Sequence, residues 1–180
     1  MLKITVPESE VYLPSTNEFV QIKETNLQLE HSLVSISKWE SKFCKPFMSK
    51  DPKTTEELLY YIKCMTINPN IDSNCYLGLT DSNIKDIKNY IQSPMTATTF
   101  SKHGSSTPSR EIVTSELIYY YMIALGIPFE CQKWHINRLM TLIKVCNIKN
   151  SPPKKMSKSA IMAQNRELNA ARRNALHTRG

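Results

Sequence analysis

The first residues of the chain alternate. Leu2, Ile4 and Val6 are apolar and Lys3 and Thr5 between them are polar, the period of two expected of a half-buried strand. Pro7 and Pro14 punctuate a segment that reads as loop, and residues 19–22 and 27–29 then alternate again. Two or three strands of a small antiparallel sheet are predicted for residues 1–30.

The period then changes. Leu29, Leu33, Ile36, Trp39 and Phe43 step by four, three, three and four residues, which is one face of a helix closed by Pro46. A second helix is predicted to start at Thr54 or Thr55, with Glu56 and Glu57 favourable in its first turn and Leu58, Leu59, Ile62 and Met65 as its buried stripe. Residues 72–79 suggest one short helical turn. The run Thr80-Asp-Ser-Asn83 caps a third helix with the stripe Ile84, Ile87 and Ile91, stopped by Ser93-Pro94. Residues 93–109, rich in Thr, Ser, Gly and Pro, read as a loop between two helical subdomains. A fourth helix is predicted over roughly 110–125, entered through residues 107–111, with Ile112, Leu117, Tyr120, Ile123 and Ala124 as core candidates. Gly126 sits as a residue just past its end, and Pro128 opens a fifth helix over roughly 129–148. Ile136, Leu139, Met140, Ile143 and Val145 would pack that helix against the fourth as an antiparallel hairpin. Pro152-Pro153 marks a linker, and residues from Ser157 to about Arg173 have good helix propensity with a thin apolar stripe of Ile161, Leu168 and Ala171. The expected fold is mainly α: a small N-terminal antiparallel β segment, a bundle of about five helices over 31–148, and a basic linker and tail helix over 149–180.

Charge sharpens that division. The 180 residues carry a formal net charge of +7, yet residues 1–148 hold fifteen Lys/Arg and fifteen Asp/Glu. Residues 149–180 hold eight Lys/Arg against Glu167 alone, so the whole excess lies in the tail. Such a tail suits an acidic protein segment, a phosphate backbone, or plain solvation. A membrane surface is disfavoured, because the tail lacks Trp, Phe and a strong apolar stripe. No stretch approaches the roughly 18 consecutive apolar residues of a membrane span, and Pro7 and Glu8 interrupt any leader-like start. Five cysteines, odd in number and without a CxxC pair, predict reduced thiols and a reducing compartment.

Candidate chemistry is sparse. Four glycines give no phosphate-binding loop, and neither GxSxG nor HExxH occurs. Cys131 and His135, four apart, would share a helix face as two metal ligands or a thiol–imidazole pair; the alternative is a buried Cys and a hydrogen-bonded His. No catalytic residue, metal or cofactor is predicted. Trp134 beside Arg138 is either an interface anchor or a ring that plugs the core. In the run Tyr119-Tyr120-Tyr121 at least one ring must face away from the core. The residues most suited to binding a partner are Phe129, Trp134, His135 and Arg138 in the body, and Lys154, Lys155, Arg172 and Arg173 in the tail.

Several longer phrases carry a resemblance. They are Leu27-Gln-Leu-Glu-His-Ser-Leu-Val-Ser-Ile-Ser-Lys-Trp-Glu40, Pro94-Met-Thr-Ala-Thr-Thr-Phe100, Ile127-Pro-Phe-Glu-Cys-Gln-Lys-Trp-His-Ile-Asn-Arg-Leu139, Lys144-Val-Cys-Asn-Ile-Lys-Asn150 and Pro152-Pro-Lys-Lys-Met156. From about residue 19 onward the chain resembles the tail assembly chaperones of tailed bacteriophages. The resemblance implies a non-enzymatic helper in the host cytoplasm. It would bind the tape measure protein, keep it soluble, help recruit tail tube subunits, and leave before the tail is complete. Eight methionines suit adaptable binding surfaces, though they equally fill cores. The alternatives are a structural virion or connector protein, and a nucleic-acid-binding protein acting through the tail.

Overall fold

Short alternating strands and capped amphipathic helices do form, mostly where the pattern puts them. The computed structural model describes residues 1–13, 17–100, 112–151 and 158–176. It is mostly helical with a small antiparallel β segment at the N-terminus, and it divides into two units, Met1–Asn147 and Ile148–Gly180.

In the first unit, β1 (Leu2–Val6) pairs antiparallel with β4 (Thr25–Leu29), setting Leu2 opposite Leu29 and Ile4 opposite Leu27. Ile4, Val6, Leu27 and Leu29 are all buried, so the inward face of this pair is apolar except for Thr25 opposite Val6. Nested between them, β2 (Ser9–Leu13) and β3 (Glu18–Ile22) form a second two-stranded sheet. The segment between Pro7 and Pro14 is therefore a strand, not loop. Its pattern is faint because none of its residues is fully buried; the cross-strand pair Tyr12 and Phe19, ring centroids 5.1 Å apart, supports it from the outside.

The outer edges of the first sheet are covered. Beyond β4, Glu30 N–H donates to the Met65 carbonyl and Ile67 N–H to the Gln28 carbonyl, both at 2.9 Å. Beyond β1, the Asn83 amide donates to the Thr5 carbonyl at 3.2 Å. Capping a strand edge in this way removes a template for unwanted pairing.

Helix α1 (Leu33–Phe43) follows β4, capped by Ser32, and buries Leu33, Ile36 and Trp39. Leu29 belongs to the strand, so the predicted helical row begins one turn late. Helix α2 (Thr55–Met65) starts with a capping box: Glu57 N–H donates to Thr54 Oγ1, and Thr54 N–H to Glu57 Oε2. Its buried face is Glu57, Tyr61, Ile62 and Met65, whereas Leu58 is 42% exposed. The expected stripe is rotated because two polar residues on the buried face, Glu57 and Tyr61, have partners. The other Glu57 oxygen takes Lys45 Nζ at 2.7 Å, and the Tyr61 hydroxyl bonds His31. The Trp39 indole N–H donates to the Glu57 carbonyl at 2.9 Å, locking α1 to α2.

A 3-10 turn (Ser73–Gly78) precedes α3 (Asp81–Gln92), which Thr80 and Asn83 cap reciprocally. Helix α4 (Ser115–Ala124) starts five residues later than predicted, capped by Thr114; residues 101–111 lie outside the described residues. The buried carboxylate of Glu40 in α1 receives Ser115 N–H at 2.7 Å, tying the start of α4 to α1. The buried row of α4 is Ser115, Ile118 and Met122. Ile112, Tyr120 and Ile123, expected in the core, are exposed. Gly126 takes φ +63°, the left-handed conformation that lets the chain turn out of α4.

The single fifth helix is in fact broken. A 3-10 turn (Phe129–Lys133) precedes α5 (Ile136–Asn150), and His135 between them bridges to Ser32. Ile136, Leu139 and Ile143 of α5 are buried. Helix α4 packs on α1, as does α2, so the expected α4–α5 hairpin is not the main contact. In the second unit, α6 (Lys158–Leu176) is a helix of nineteen residues.

Two changes test this frame. Trp39→Ala leaves a large void and removes the indole bond to α2, and should cost about 3–5 kcal/mol in urea unfolding. Thr54→Ala removes one half of the capping box and should cost about 1 kcal/mol.

Candidate partner-binding surface

Among the described residues, no group of three or more His, Cys, Asp or Glu side chains is arranged to hold a metal ion. Cys131 lies buried in the 3-10 turn and His135 outside it, so the two do not share a helix face. Both His135 ring nitrogens are engaged elsewhere. Asn137 N–H donates to Nδ1 at 3.3 Å, which leaves the proton on Nε2, and Nε2 donates to the Tyr90 carbonyl at 3.0 Å.

His135 belongs instead to a buried junction. His31 and His135 are 3% and 4% exposed, with ring centroids 5.0 Å apart and nearly perpendicular. His31 Nδ1 bonds the Tyr61 hydroxyl, and the His31 carbonyl accepts Ile136 N–H at 2.7 Å. Nearby, the Tyr90 hydroxyl donates to Glu30 at 2.6 Å. Burial, then the repulsion that a protonated His135 beside it would exert, pushes His31 down to about 3. Burial lowers His135 as well, against the opposing pull of the Tyr90 carbonyl and the Glu30 carboxylate. Burial drives the Tyr61 hydroxyl well above its ordinary value, so it stays a phenol. The pair is neutral and structural, and the His135 side chain does not reach the surface.

The surface offers other groups. On α4, Glu116, Tyr120 and Ile123 follow one another at spacings of four and three along the outer side. Tyr120 and Ile123 are 62% and 65% exposed, and Phe129, in the adjoining turn, is 53% exposed. The Tyr119 hydroxyl donates to Gln132 at 2.9 Å, holding the turn to α4. At the start of α5, the Arg138 guanidinium lies 4.0 Å from the Trp134 ring centre, a cation–π contact at the surface. A shallow groove of about 400 Å³ runs between α2 and the turn before α3, lined by Leu59, Tyr60, Tyr76 and Leu77 with Glu56 and Lys63 at its margins.

The predicted body residues thus divide. Phe129 and Arg138 are exposed and Trp134 is half-buried, whereas His135 is buried. Tyr120, Ile123 and the α2 groove were missed as surface. A signal for the first two exists in the sequence: residues 117–123 are apolar or aromatic at every position, more than one buried face can absorb. Of the tail residues, Arg172 and Arg173 are exposed on α6, and Lys154 and Lys155 lie outside the described residues. No described helix is long and apolar enough to cross a membrane.

No family model, curated protein or solved structure matches the chain.

The histidine junction has a pH signature. Between about pH 6.5 and 3 the unfolded chain binds a proton at residue 31 that the folded chain refuses. Stability is therefore full above pH 6.5 and falls as the pH drops, by about 2 kcal/mol at pH 5 from this residue. Urea melts across pH 5–8 should show that slope, and His31→Gln should flatten it even if its absolute stability is lower.

Proposed function

We propose that this chain is a non-enzymatic tail assembly chaperone of a tailed bacteriophage. It acts in the host cytoplasm, binds helical segments of the tape measure protein, and helps recruit tail tube subunits. The observation that carries the reading is the exposed apolar row of α4 with Phe129 beside it in sequence. A tape measure protein is a long chain of amphipathic helices that aggregates when its apolar faces meet. A client helix laid on Tyr120, Ile123 and Phe129 would exchange that self-association for a bounded contact, as helix-on-face recognition does elsewhere.

Support also comes from how little else the row does. Tyr120 and Ile123 point away from Ser115, Ile118 and Met122, which bury α4 on its own body. The resemblance in the phrases around Trp39, Phe129 and Trp134 leads to the same class of protein.

Co-expression tests this reading. The tape measure protein should remain in the soluble fraction with the native chain and pellet with the Ile123→Glu or Tyr120→Glu variant. Each variant, being at an exposed site, should unfold within about 0.5 kcal/mol of the native chain. Equal solubility of the tape measure protein with and without the chain, or a stoichiometric amount of the chain in finished virions, contradicts the proposal.

A further inference from the structure

The second unit carries a pattern that the chaperone reading does not use. In α6 the described residues hold Lys158, Arg166, Arg172 and Arg173 against Glu167 alone. Ile161, Met162, Leu168 and Leu176 are all exposed there. At about 100° per residue, Ile161, Asn165, Leu168, Arg172 and Leu176 share one face, with Lys158 at its N-terminal edge. Arg172 therefore stands in the middle of the apolar row, between Leu168 and Leu176. Arg166 and Arg173 fall on a different side, roughly 120° away.

That placement discriminates between partners. A helix that lies on a lipid surface separates its apolar and charged faces, and α6 has a cation within the row and no aromatic residue. A phosphate backbone would neutralise the arginines but give Ile161 and Leu168 nothing to pack on. A protein helix can meet both needs at once. Its apolar residues cover Leu168 and Leu176, and a carboxylate must face Arg172, because an arginine sealed in a seam without a counter-charge is strongly unfavourable. A charged position enclosed by apolar neighbours, as Arg172 is by Leu168 and Leu176, also fixes register and orientation.

We infer that α6 docks on an acidic amphipathic helix of a protein partner, with Arg172 paired to a carboxylate inside the apolar seam. Arg166 and Arg173 add charge attraction at the rim. The inference does not rest on the chaperone reading, which concerns α4 in the other unit.

The test uses the full chain and a fluorescent model helix with a leucine seam interrupted by one glutamate and glutamates on its flanks. Anisotropy should report binding at physiological ionic strength, and loss of affinity by at least about tenfold with Arg172→Glu. Arg166→Glu, off the seam, should stay within about twofold, as expected of a rim charge. A peptide with lysine in place of the seam glutamate should recover binding to the Arg172→Glu variant, which shows that the variant helix still forms. Binding of the acidic peptide that ignores Arg172→Glu would overturn the inference. So would failure of the lysine peptide to recover it, or anionic vesicles or duplex DNA binding as tightly as the peptide.

Discussion

The body is organised around one short hydrogen bond, from Ile136 N–H to the His31 carbonyl at 2.7 Å. It joins two chain segments more than a hundred residues apart at the point where α1 and α5 each begin. The Ser32–His135 bridge lies beside it, and the two imidazoles close over the junction. Burial keeps both rings neutral, which lets them pack against each other without repulsion. Tyr61 from α2 and Tyr90 from α3 bond these same rings or their neighbours, so four helices are referenced to one buried point. Removing any member leaves a polar group without its partner inside the core, a cost larger than the bond itself contributes.

This constraint explains where α4 sits. With α5 anchored at His31, α4 is left to pack on α1, its start held by the Glu40 carboxylate and its end by the turn at Gly126. Only one row of the helix is then buried. The rest of a helix that is apolar nearly all round must face outward, and Tyr120 and Ile123 do. The proposed client surface is in this sense a consequence of the fold rather than an addition to it. The arginines of α6 offer a second, chemically different surface: charged, with its apolar row interrupted, and suited to a partner of opposite sign.

Much of this was legible along the chain. Helix starts were readable where a side-chain oxygen precedes an apolar period, as at Thr54 and Thr80, because capping is a local interaction. The strands at Leu2–Val6 and Thr25–Leu29 showed because apolar residues alternate along one face. What failed was helix phase and continuity. In α2 and α4 the buried rows include Glu57, Tyr61 and Ser115, polar groups whose partners come from residues distant in sequence. The break before α5 is invisible locally, since the contacts that hold it, Ser32 with His135, His31 with Ile136 and His135 with Tyr90, join residues distant in sequence. His135 had looked like a surface group for the same reason. Tyr120 and Ile123 were assigned inward because a period was sought in a stretch where every position is apolar.

Hydrogen exchange measured by mass spectrometry on the full chain, alone and bound to a soluble helical fragment of the tape measure protein, reaches the central claim most directly. The account predicts slowed exchange on binding across residues 115–134, with β1, β4 and α1 unchanged because they are already buried in the free chain. Unchanged exchange over 115–134, with slowing confined to the β2–β3 hairpin, would contradict it.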